Sequence, residues 1–478
     1  MTANWLNGSL LLALVFSFSA KAGIGLEHCL AQVPPPVISK KLDDRRRSIL
    51  LALQDHLSSN PQLDIDSSQC LIWVKQQLHP TTPLPDPKLL ADNTSYLALV
   101  NRPRKIRLAP HCQTSAQLNS DILSLSRSDV GRYLYRGQQT QCRQSVWLAW
   151  QNRGGNDASD AALLVLKQNQ NHAQSNGFAS VADEELQSAY LNSPAKVSQF
   201  LGRLDPLERR LPWGDHHHGD YFDVAPMTLA KQSLTLLSDW FGLSVKSVDK
   251  HTWQIWDDKR FLGYVHLYTE PRHRLTVATH NRVSYYFGDI TIGVRERVNW
   301  RHRHVQELFG NLSQGLWTLA GHGVEETEIE PDLIGLPKSI GQMLAFEASW
   351  MRSLKLISPP PYQVSAYKVF QAELALAMWS TPFANEAQLL ELQSQLFADN
   401  LNVDAPSPWF SWRGDSRWLT SGVLSYRSLL QQQLAKQLIE RHKRSGQRIW
   451  QRLYVDGHSH KLSRQLAELG VEPDSLMH

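Results

Sequence analysis

Cysteine is scarce in this chain: four in 478 residues, all before Arg143. None stands at the spacing of a zinc finger or ribbon, which excludes a structural zinc module built on thiolates. The helical two-histidine pattern HExxH and its inverse HxxEH are absent too. Charge of one sign is not in excess. Forty-nine basic against 45 acidic residues leave a net +4, too small and too dispersed to imply nucleic acid. Long apolar runs are missing except at the start, where Leu10 to Phe18 reads LLLALVFSF. That run is too short to span a bilayer, so no membrane span is expected once it is removed.

The apolar run is followed by Ala20-Lys21-Ala22, a small-x-small site. Together they read as a secretory signal peptide, residues 1–22, cleaved before Gly23. An uncleaved N-terminal anchor is the other reading, since no Lys or Arg precedes the run. Export places the protein outside the cytoplasm, secreted or periplasmic. In that oxidising setting Cys29, Cys70, Cys112 and Cys142 are expected to form two disulfides. Three connectivities are open; Cys29–Cys70 with Cys112–Cys142 is the local one.

The remaining composition is that of a soluble protein, 42% hydrophobic and 20% charged, with enough length for two or three domains. Sixteen Trp suit a core and a peptide groove equally. A Cys-bearing segment, 23–120, contains a proline-rich linker at His79–Pro87. A helical region, 121–224, follows. It ends in a polar loop with His216, His217 and His218 among Asp215, Asp220 and Asp223; adjacent histidines cannot all face one ion. Between His251 and Phe287 the runs TWQIWD, RFLGYVHLYTE and RLTVATH are rich in β-branched and aromatic residues and broken by turns, which predicts strands. Val305, Leu308, Phe309, Leu312, Leu316 and Leu319 recur at helical spacing, which predicts a helix with one apolar stripe. YQVSAYKVFQAELALAMW and LSYRSLLQQQLAKQLIERHKRSG predict further long helices.

Several stretches from about Asp121 onward resemble the thimet oligopeptidase family of zinc metallopeptidases. Gly177-Phe178, Ser193-Pro194, Val197 and Phe200-Leu201 match its helical stretch, and Pro212-Trp213 with Asp215 its proline-tryptophan-aspartate stretch. His302, Val305, Leu308 and Phe309 keep the frame before the zinc motif; Asp332, Leu336 and Pro337 keep the frame after it. The resemblance implies a mainly α-helical, metallopeptidase-like body with a small antiparallel sheet beside a cleft, the former catalytic domain covering 225–478. It also shows what is lost. Gly310, Asn311, Leu312, Ser313 and Gln314 stand where HExxH should, and Gly335 replaces the third ligand. Gly310 offers no ligand atom and Asn311 no carboxylate base, so no catalytic zinc is expected. Ser428 stands where a catalytic Tyr belongs, while Tyr426 survives.

What the resemblance implies is an inactive pseudopeptidase whose cleft holds a peptide or a protein. By resemblance, Tyr264, Val265, His266, Leu267 and Tyr268 form the edge strand that pairs with extended peptides, with Tyr426 nearby. On that view Val265→Pro would abolish peptide binding and Gly310→Ala would stabilise the helix slightly. Restoring His, Glu, His and Glu at 310, 311, 314 and 335 would recover zinc. The alternative is an active metallo-oligopeptidase holding zinc through His302, His304 and His322. A third reading is a subunit whose cleft its own side chains fill. No oligomeric state follows from any of these residues.

Overall fold

The computed structural model describes residues 87–115, 120–214, 221–258, 260–270, 277–279, 288–296, 299–320, 329–383, 385–445, 448–450, 453 and 461–476. The expected signal peptide, Cys29, Cys70, His216 to His218 and His322 lie outside the described residues. Within them the chain is mainly helical with small sheets. No helix among the described residues is long and apolar enough to cross a membrane.

The helices that carry the core are α1 (Pro87–Asn101), α2 (Arg127–Arg136), α3 (Thr140–Gln151), α4 (Gly155–Ser175), α5 (Pro194–Arg203), α6 (Pro226–Trp240), α7 (His302–Ala320), α8 (Leu336–Leu344), α9 (Ala366–Ser380), α10 (Glu386–Leu401) and α11 (Arg427–Ser445). Local chemistry sets their ends. Ser193 caps α5 by accepting a hydrogen bond from Lys196 N at 3.3 Å, and Pro194 opens the helix where its missing N–H costs nothing. Asn385 caps α10 in the same way through Gln388 N. The apolar stripe predicted on α7 is fully buried from Val305 to Leu319.

Three sheets accompany the helices. β1 (Lys105–Arg107) pairs with β2 (Ile122–Ser124), and β3 (Tyr221–Asp223) with β9 (Asn299–Arg301), both antiparallel. The five-stranded sheet contains β4 (Ser244–Ser247), β5 (Thr252–Asp257), β6 (Arg260–Glu270), β7 (Val277–Thr279) and β8 (Gly288–Arg295), in the order β4-β5-β6-β8-β7. β6 and β8 run parallel; the other pairs are antiparallel. Alternation on β5 and β6 turns Trp253, Ile255, Leu262, Val265 and Leu267 inward, where α6 and α7 cover them.

One buried cluster runs from Tyr96 on α1 to Val471 near the C-terminus, with the Trp147, Trp213, Trp409 and Phe397 rings in mutual contact. A smaller cluster gathers Leu108, Leu123, Val130, Tyr133 and Val146 around a disulfide between Cys112 and Cys142. That bond is one of the two expected from the cysteine count.

Candidate functional site

The centre of α7 faces α8, and the two helices meet through glycine. A Cβ built on Gly310 would lie 2.9 Å from Gln342 Cγ and 3.1 Å from the Lys338 carbonyl oxygen. From the other side, a Cβ on Gly341 would lie 2.6 Å from Ser313 Cβ and collide with the Phe309 carbonyl. Each helix therefore presses its backbone against the other where a side chain would hold them apart. Ser313 completes the joint by donating its hydroxyl to Pro337 O at 2.6 Å. One turn on, Gly315 lets α7 rest on the sheet: a Cβ there would overlap the tip of Ile290.

Zinc, which the family resemblance implies, does not fit these residues. HExxH puts two imidazoles on one helix face with room for an ion between them. Here Gly310 bears no donor and its surroundings admit none, while Leu312 is buried and apolar and Gln314 offers only an amide. Asn311 is buried. Gly335, in the third ligand's place, has φ 95°, a left-handed turn at the start of α8, and its Cα faces Gln431. Gln431 in turn donates to the carbonyls of Asp332 and Ile334, which ties α11 to this turn.

The histidines proposed as substitute ligands are engaged elsewhere. His302 donates Nε2–H to Ala345 O at 2.8 Å and sets its ring edge-on to Phe346. Burial lowers its basicity, and the bond to Ala345 offsets part of that. His304 accepts from Arg301 N through Nδ1 at 2.9 Å and lies against the Arg295 guanidinium. Their nitrogens therefore serve separate partners. Among the described residues, the group of three metal-type side chains in reach of one another is His111, Cys112 and Cys142, whose thiols are spent in the disulfide.

The strand expected at a sheet edge is interior. β6 is paired on one side with β5, Thr252 opposite His266, and on the other with β8, Val265 opposite Ile290. Val265 and Leu267 are buried, and from Gly263 to His266 both main-chain edges of β6 are paired. Alternation alone cannot show which strands will flank a run, so the edge assignment failed at a long-range pairing. Tyr264, His266 and Tyr268 occupy the outer face of the strand as a row of near-parallel rings, 6.2 and 6.4 Å apart, with His251 stacked on Tyr268.

Tyr426 is likewise interior. Its hydroxyl donates to Asp332 at 2.8 Å, and Asp332 also accepts from the backbone N–H groups of Tyr190 and Leu191 at 2.7 and 3.0 Å. Burial raises the Asp332 carboxyl above its ordinary value, against the pull of those three donors. Burial and the adjoining carboxylate raise the Tyr426 phenol. This is a structural junction between the 190 turn, the start of α8 and the start of α11.

Ser428 is exposed and lies on the rim of a recess of about 200 Å³ between α9 and residues 411–428. Tyr367, Phe370, Gln371 and Leu374 line one side from the face of α9; Asp415, Arg417 and Trp418 line the other. Tyr96, from α1, fixes this second wall: its hydroxyl donates to Trp412 O at 2.6 Å and receives Trp418 Nε1–H at 2.8 Å. These residues form no sequence motif; the i, i+3, i+4, i+7 spacing of those on α9 marks a helix face and nothing more.

No family model matches the chain, and no curated protein matches it. Solved structures do resemble it. PZ peptidase A with an inhibitor shares 10% identity over 94% of this chain and 86% of its own, with a TM-score of 0.49. A protein described as oligoendopeptidase F shares 9% identity over 94% and 87%, with a TM-score of 0.44. An M32 carboxypeptidase from Deinococcus radiodurans R1 shares 13% over 95% and 91%, at 0.32. Likenesses this distant transfer no residue role to the chain.

Proposed function

We propose that the chain is an exported, catalytically inactive relative of zinc oligopeptidases that holds a peptide or a protein without cleaving it. The observation that supports inactivity is the joint at Gly310. The place where a ligand imidazole would project is filled by Lys338 and Gln342, and the donors expected at 314 and 335 are absent as well. Hydrolysis would need a nucleophile and a Lewis acid or oxyanion donors converging on one carbonyl. His302, His304 and Tyr426 each make other bonds. Export rests on the apolar run and the Ala20-Lys21-Ala22 site.

Fluorogenic oligopeptides incubated with the mature protein, with and without added zinc, test this reading. No turnover above a denatured-protein blank is expected, together with substoichiometric zinc by elemental analysis. Turnover that a chelator abolishes would overturn it.

A further inference from the structure

The recess beside Ser428 has the chemistry of a binding site that no catalytic reading requires. Its floor is apolar: Phe370, Leu374, Ala375 and Trp418 are all buried. Its rim is polar and carries an uncompensated cation. Asp415 is the one carboxylate that lines it, and its charge is already matched. Arg417 donates to Asp415 from Nε at 2.9 Å and from its terminal nitrogen at 2.5 Å, while Gln371 donates at 3.2 Å. The Lys368 ammonium has no hydrogen bond or ion pair among the described residues. Burial lowers the basicity of Lys368, Glu208 offsets part of that through space, and the Arg417 charge adds to the lowering; Glu208 is itself paired with Arg210 at 3.6 Å. The side-chain hydroxyls of Ser421 and Ser428 likewise have no partner among the described residues.

A lone ammonium and two hydroxyl donors above an apolar floor select an anionic head on a short apolar body. The volume falls below the roughly 300–1,000 Å³ of sites that take drug-sized molecules, so it suits a group of about one amino-acid residue. We propose that this recess binds a carboxylate attached to a small apolar side chain, the chemistry of the C-terminal residue of a peptide. For the source of that carboxylate it rests on the peptide-holding reading above; the recess itself does not depend on it. Lys368 and the two serines would hold the carboxylate, and Phe370, Leu374 and Trp418 the side chain.

Isothermal titration of the mature protein with N-acetyl-leucine, N-acetyl-leucinamide and 4-methylpentanoate tests the proposal. The acid is expected to bind at least ten-fold more tightly than the amide, which lacks the charge. Lys368→Met should lose about ten-fold for the acid and little for the amide. Ser428→Trp, at an exposed position on the rim, should close the mouth and weaken acid and amide alike. Equal affinity for acid and amide in the unmodified protein, or no acid binding, would overturn the proposal. If 4-methylpentanoate matches N-acetyl-leucine, the carboxylate recess stands and its assignment to peptide ends falls. Chelator-sensitive peptide hydrolysis would remove the inactive-relative reading and leave these affinities unaffected.

Discussion

Tyr426 reaches across 94 residues of chain to donate its hydroxyl to Asp332 at 2.8 Å. The pair joins the start of α11 to the turn before α8 inside the core, with Tyr190 and Leu191 supplying the other donors to the same carboxylate. Tyr426→Phe removes one of three donors from a buried carboxylate. A loss of about 1–3 kcal/mol is expected by urea denaturation.

That loss should depend on pH. Burial raises the folded-state value of Asp332 above 3.8, so the folded protein holds this proton more tightly than the unfolded chain does. The Asp332 contribution to stability is therefore complete below about 3.8 and is lost as pH rises through the raised value. Tyr426 bonds the ionised form, so the Phe variant should be penalised more at pH 7 than at pH 4. An equal deficit at both would show that Asp332 keeps one protonation state across this range.

Gly310→Ala gains up to about 1 kcal/mol of helix propensity but must displace Gln342 and the Lys338 carbonyl. The sequence alone predicts a slight gain; the helix contact reverses the sign, to a net loss of about 1–3 kcal/mol. Gly341→Ala, against the Phe309 backbone, should cost more. Chemical denaturation of the two single variants checks both the sign and the order.

The fourfold replacement Gly310→His, Asn311→Glu, Gln314→His and Gly335→Glu is expected not to restore zinc. It must first part α7 from α8 and force a side chain into the left-handed turn at Gly335. Elemental analysis should find no stoichiometric metal in whatever fraction folds. Gln314→His alone, at a half-buried position, should fold normally and serve as the control.

On an edge strand, Val265→Pro would remove a single outward N–H. In an interior strand proline deletes a ladder bond and disrupts both flanking pairs. A loss of at least about 2 kcal/mol is expected, seen as a lower melting temperature rather than as a selective loss of ligand. Reduction of Cys112–Cys142, which closes a separation of 30 residues, should remove about 3–4 kcal/mol by chain entropy.

Local patterns in this chain were easy to read. β5 and β6 coincide with the runs TWQIWD and RFLGYVHLYTE, because alternation and turn residues act over a few positions. The α7 stripe follows for the same reason. What escaped depends on partners distant in sequence. That β8 lies along β6, that Gly310 touches Lys338, and that Tyr426 meets Asp332 are facts of packing, and no local spacing encodes them. The absence of zinc donors was legible residue by residue; the closure of the space they would have used was not.

The hydroxyl of Tyr96 holds the far wall of the recess from a helix that begins at Pro87. α1 is thus a keystone of that wall. A proteolytic cut that released α1 would strip Trp412 and Trp418 of a shared tether while leaving every residue of the recess in place. Limited digestion could then silence ligand capture in a polypeptide that still contains all of its contact residues.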